Sequence, residues 1–127
     1  MSISPQAFCA RVYCAVLDDV AINPVAGIAT LTGVLKDHER SRPINIHLEG
    51  LSGVAWHGVP KEPEGFFELS TVEIGPASGS RARWRVRFEP WDSAELEFHC
   101  EAVILNGDLV SGPGAWRQDS LDGPVAV

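Results

Sequence analysis

Residues 80–103 read S-R-A-R-W-R-V-R-F-E-P-W-D-S-A-E-L-E-F-H-C-E-A-V. Arg81, Arg83, Arg85 and Arg87 fall on every second position, with Ala82, Trp84, Val86 and Phe88 between them. Glu95, Glu97, His99 and Glu101 then alternate with Leu96, Phe98, Cys100 and Ala102. Side chains alternate between the faces of a β-strand, so each segment has one charged and one apolar face. Paired as a hairpin across residues 89–93, the two strands set arginines opposite acidic residues. A slip of one position would place the charged row of one strand against the apolar row of the other, so the register is strongly specified. Opposite-charge cross-strand pairs add about 0.2–1 kcal/mol each. Burial of Trp84, Val86 and Phe98 supplies more. The stretch predicts a two-sided β-hairpin. It is not a catalytic motif.

Working outward, the remaining segments read mostly as strands. Residues 95–110 continue through Val103-Ile104-Leu105 into Asn106-Gly107, the signature of a type I′ turn. Ile44, Ile46 and Leu48 alternate with Asn45, His47 and Glu49, which points the apolar set inward, and Gly50 and Gly53 suggest a bend before Val54-Ala55-Trp56. Residues 28–36 form a strand by composition, with Gly33 marking a bulge or a close backbone approach. In residues 66–74 the alternation slips between Leu69 and Val72, as a bulge produces. Residues 37–43 and 60–65 read as polar loops, and Asp18, Asp19, Asn23 and Pro24 as turn markers. Residues 7–17 are apolar almost all round and rich in β-favouring residues, so a buried strand is expected. Ser4-Pro5 supports a short N-terminal helix as the alternative. The expected fold is a single all-β domain spanning residues 1–127: an antiparallel sandwich or barrel of six to seven strands, with an irregular tail after about residue 117.

Composition narrows the function classes. With 127 residues, 45% of them hydrophobic, the chain is long enough to bury a core without disulfides or a metal. A net charge of −7 argues against nucleic acid and against anionic membrane surfaces, both of which need a basic face. Cys9, Cys14 and Cys100 are odd in number and form no CxxC pair. Residues 1–4 have neither a basic n-region nor an apolar h-region, so a reducing cytoplasm with free thiols is the expected setting.

Candidate chemistry is sparse. His47 with Glu49, and Glu97 with His99 and Glu101, place imidazoles and carboxylates two apart on strand faces, a spacing that suits a divalent metal if the faces met. Alternating polar residues on a half-exposed sheet give the same pattern without any ligand, so no metal site and no cofactor is assigned. Cys100 shares its alternation with Phe98 and faces away from His99, which makes it a core residue rather than a nucleophile. No catalytic residue is assigned. Trp91 at the hairpin tip and Trp56 at a strand end are the aromatics placed for contact with a partner. With Arg83, Arg85, Glu97 and His99 they form the candidate binding surface.

The stretches A-R-V-Y-C-A-V-L-D-D at 10–19, R-P-I-N-I-H-L-E-G-L-S-G-V at 42–54, and W-R-V-R-F followed by L-E-F-H-C-E-A at 84–88 and 96–102 resemble, in patterning and strand order, small bacterial all-β proteins found among the immunity proteins of toxin systems. The resemblance spans about residues 11–104. It implies a non-enzymatic protein that neutralises a partner by binding it. Two other readings stand beside it: a small-molecule-binding barrel or sandwich with a cavity lined by Tyr13, Phe67, Trp84 and Phe98, and a metal-dependent enzyme built on the His47 and His99 faces.

Overall fold

The computed structural model describes residues 2–37, 40–58, 67–77, 83–90, 94–112 and 125–126. In chain order the elements are β1 (Ser2–Ile3), α1 (Pro5–Val12), β2 (Val16–Asn23), β3 (Ile28–Asp37), β4 (Arg40–Glu49), β5 (Gly53–His57), β6 (Phe67–Pro76), β7 (Trp84–Pro90), β8 (Glu95–Cys100), β9 (Ala102–Leu105), β10 (Asp108–Val110) and β11 (Val125–Ala126). The fold is all-β with one short helix. Among the described residues no helix is long and apolar enough to cross a membrane.

The β7–β8 hairpin forms in the expected register. Trp84, Val86 and Phe88 of β7 lie opposite Cys100, Phe98 and Leu96 of β8, while Arg85 and Arg87 lie opposite His99 and Glu97. Trp84, Val86 and Phe98 are fully buried, and the Phe88 and Phe98 rings meet edge to face with centroids 6.0 Å apart. Asn106 and Gly107 turn between β9 and β10 with φ of 49° and 85°, as a type I′ turn requires. The phase slip in β6 is a register shift between Leu69 and Thr71 against β7.

The strand count departs from six to seven. Eleven strands join one sheet among the described residues, in the order β1-β10-β9-β4-β3-β2-β6-β7-β8-β5, with β11 added to β6. All these pairs are antiparallel except β1 with β10. Two causes raise the number. The terminal strands β1 and β11 hold two residues each, too few to leave a compositional signal. Two long strands are also broken where they bend: β4 runs into β5 past Gly50, with φ +67°, and β8 runs into β9 past Glu101. The breaks face each other. Glu101 N–H donates to the Glu49 carbonyl and Ser52 N–H to the His99 carbonyl, so the β4–β9 ladder passes into the β5–β8 ladder.

The sheet therefore has two halves, β10-β9-β4-β3-β2 and β6-β7-β8-β5, joined at one corner by these bent strands. At another corner they are joined by β2 and β6, paired at Val16–Glu68 and Leu17–Phe67. Their inner faces share one buried cluster. Leu31, Ile46, Leu48, Val103 and Leu105 come from the first half, and Val72, Ile74, Trp84, Val86 and Phe98 from the second.

Residues 7–17 are a helix followed by a strand, not one buried strand. The Ser4 hydroxyl accepts from Ala7 N–H at 3.0 Å and Pro5 opens the first turn, so local capping outweighs β propensity. Phe8, Cys9 and Val12, at helical spacing, are fully buried, and α1 packs against β6. Asp18 and Asp19 mark no turn; they lie within β2, where the register against β3 shifts between Leu17 and Asp19. Residues 40–43 are not loop but the start of β4. Pro43 is tolerated there because β9 joins β4 only from Ile46 onward, leaving one side unpaired. The tail is not irregular throughout, since β11 pairs with Glu73 and Ile74 of β6. The loop at 60–65 and the remainder of the tail, residues 117–124 and 127, lie outside the described residues.

Candidate functional site

The outer face of β6, β7 and β8 carries the charged rows. Arg85 donates through Nε to Glu97 Oε1 at 2.7 Å, a diagonal contact, since the residue directly opposite is His99. Nε2 of His99 lies 3.1 Å from the other Glu97 oxygen. Arg87 reaches the other way. It pairs with Glu73 on β6, and its Nε lies 3.2 Å from Glu89 and its Nη1 3.6 Å from Glu95. Arg83 bridges to Glu101 at 3.3 Å and donates to the Gly50 carbonyl at 3.2 Å, tying the hairpin to the bend between β4 and β5.

Packing among these groups shapes their ionisation. Burial pushes the Glu97 carboxyl up, but the contacts with His99 and Arg85 outweigh it and hold the group below its ordinary value. For Arg87, burial favours the neutral form, and the Glu73 carboxylate reverses that and raises its pKa. Counting Glu73, Glu89, Glu95, Glu97 and Glu101 against Arg83, Arg85 and Arg87, the ion pairs among the described residues hold two more carboxylates than guanidiniums. The described part of the arginine row, Arg83 to Arg87, is thus not a basic patch. It is embedded in acid.

Beside this face lies β5, the last strand in the sheet order. It pairs with β8 on one side, and among the described residues no strand pairs with its other side. Val54 and Trp56 lie opposite Phe98 and Leu96, on the inner face. Yet they are 43% and 42% exposed, whereas Phe98 and Leu96 beside them are buried. Gly53, Ala55 and His57 lie opposite His99, Glu97 and Glu95 on the charged face. β5 carries none of the lysines, prolines or bulges that usually blunt a sheet edge. The outer side of β2 beyond Leu17 is different: it bears Asp18 and Asp19 and stops at Pro24.

Five of the six candidate surface residues therefore gather on β5, β7 and β8 or at the residue leading into β7. Trp56 is on the edge strand, and Arg83, Arg85, Glu97 and His99 are on the adjoining face. Trp91 and Arg81 lie outside the described residues. Sequence reading missed Val54, whose exposure depends on its strand ending the sheet. It also missed Glu73, whose alternation with the buried Val72 and Ile74 marked it as a charged position on the outer face.

The other candidates are dispersed. His47 contacts Thr30 at 3.4 Å and Glu49 at 3.3 Å on the first half of the sheet, whereas His99 belongs to the second. Among the described residues no three His, Cys, Asp or Glu side chains are grouped to hold a metal. Trp84 and Phe98 are core residues while Tyr13 stands 38% exposed, so these three do not line one cavity. The side chain of Phe67 lies outside the described residues. Burial raises the Cys9 and Cys100 thiols to about 12, and Cys100 sits in the core as its alternation implies.

No protein-family model matches the chain, and no curated protein sequence matches it.

Proposed function

We propose that the chain is a non-catalytic domain that binds another protein through β5, and that neutralising a toxin is its most specific role. One observation carries the reading: Val54 and Trp56 stand exposed on a strand whose second edge has no pairing strand among the described residues. Aromatic anchors bury a large area at little rotamer cost, which favours them at the centres of protein interfaces. The acidic excess beside β5 and the net charge of −7 favour a basic partner through complementarity and a faster encounter.

Co-expression with the product of the adjacent gene, followed by size-exclusion chromatography, tests this proposal. A stoichiometric complex is expected, lost on Trp56→Glu, with the variant's own unfolding midpoint close to the parent's. A complex that forms equally with Trp56→Glu and Val54→Glu would overturn β5 as the docking site. A parent chain recovered only in free form after cross-linking in its native cells would overturn the binding role itself.

A further inference from the structure

We infer that residues 2–12 are an exchangeable arm, which two copies of the chain trade about a hinge at Tyr13-Cys14 to form a symmetric dimer. The inference goes beyond the binding role proposed above and does not rest on β5. The arm is held by distant parts of the chain. β1 pairs with Leu109 and Val110 of β10, and Ser111 donates to the Ile3 carbonyl through N–H at 2.8 Å and through Oγ at 3.2 Å. Arg11 meets Asp108 at 3.4 Å. α1 packs against β6 and β11, with Phe8, Cys9 and Val12 fully buried. A second copy offers each of these partners in the same arrangement, so an arm that changes chains keeps these contacts. An arm that merely swung out would bare three buried side chains, and seating it on a neighbour buries them again.

The hinge decides between the two forms. α1 ends at Tyr13, whose φ of −55° and ψ of 132° already turn the chain out of the helix. Cys14 then takes φ +65° before β2 starts at Val16. A residue with a Cβ is strained in this left-handed region, which suits glycine. In the closed chain Cys14 has to hold that conformation, because the arm and β2 belong to one molecule and must both stay seated. With the arm on a neighbour, Tyr13 and Cys14 run extended, and the strain is released at both hinges of the dimer.

Three variants, Cys14→Val, Cys14→Ala and Cys14→Gly, test the hinge. Each is refolded from denaturant over a range of concentrations and sized by light scattering. Valine is the worst suited to left-handed backbone, alanine keeps the Cβ of cysteine, and glycine removes the strain. The monomer–dimer dissociation constant is expected to rise in the order valine, alanine, glycine. Glycine should stand about a hundredfold above alanine, about tenfold for each hinge. Exchange itself is read by adding Ser2→Cys and Leu109→Cys, which lie directly opposite in the β1–β10 register and are both exposed. After oxidation the dimer fraction is expected to run as a covalent dimer without reductant, and the monomer fraction as a monomer. A dimer fraction that falls apart into monomers would overturn arm exchange. Equal dissociation constants for Cys14→Ala and Cys14→Gly would do the same, and this pair decides the matter even where Cys14→Val does not fold. So would alanine and glycine variants that both stay monomeric at millimolar concentration.

Discussion

Gly33 sits opposite Leu17, where the β2 backbone leaves no room for a side chain on β3. A Cβ added there would lie 1.9 Å from the Val16 carbonyl oxygen and 2.8 Å from Leu17 Cα, and backbone cannot yield as a flexible side chain can. Gly33→Ala should therefore lower stability by about 1–3 kcal/mol or more, read as a shift in the denaturation midpoint. A midpoint equal to the parent's would mean that the strands separate there at no cost. A glycine inside a strand was legible as a close approach; its contact was not, because the partner lies on the strand before it. The cysteines make a second case. Cys9 and Cys100 are buried, with thiols raised to about 12, whereas Cys14 is half-buried in the turn after α1 with φ +65°. Iodoacetamide at mildly alkaline pH should label the native chain once, at Cys14, and label all three cysteines after denaturation. Labelling of Cys100 in the native chain would place it outside the core. Alternation with Phe98 revealed the burial of Cys100, but nothing local marked the left-handed backbone of Cys14.

At the scale of elements, the β7–β8 ladder was the most legible part of the molecule, because two opposed periodicities admit one register. What the sequence left hidden was which carboxylate each arginine takes, since that depends on β6 and on side-chain lean. Arg83 is more open to water, and Arg83→Thr should cost about 0–1 kcal/mol. Arg85→Thr should cost more, about 1–2 kcal/mol, because it strips the charge partner from Glu97, whose side chain is only 19% exposed. Equal costs for the two variants would contradict the difference in their surroundings. Glu97 also sets an acid dependence. Its folded-state pKa is below the ordinary carboxylate value, so its stabilisation is present above that value and fades as pH falls through the lowered one. Glu97→Gln should be less stable than the parent at neutral pH, and the gap should close as pH falls below the ordinary carboxylate range. A gap of constant size would show that the carboxylate charge contributes nothing. The helix α1 was half legible: Ser4-Pro5 marked its start, but uniform apolarity concealed which face would be buried.

For the molecule as a whole, composition and turn spacing made the all-β class legible, while connectivity was not. β1 pairs with β10 across most of the chain, and β1 carries no signal of its own. The unequal corners have a mechanical consequence. Continuous strands at β4–β5 and β8–β9 act as a spine, like that of a book. Among the described residues, the opposite closure has two register pairs and, beside them, two backbone bonds, from Cys14 N–H to Leu69 and from Leu69 N–H to Ala15. Packing of α1 on β6 helps to hold this clasp. Partial opening should start there, well below the free energy of global unfolding. The amides of Cys14 and Leu69 should then exchange before those of Ser52 and Glu101 at the spine. Such an opening would bare the inner faces of both halves while each kept its ladders, leaving complementary covers free to close on those of a neighbouring chain.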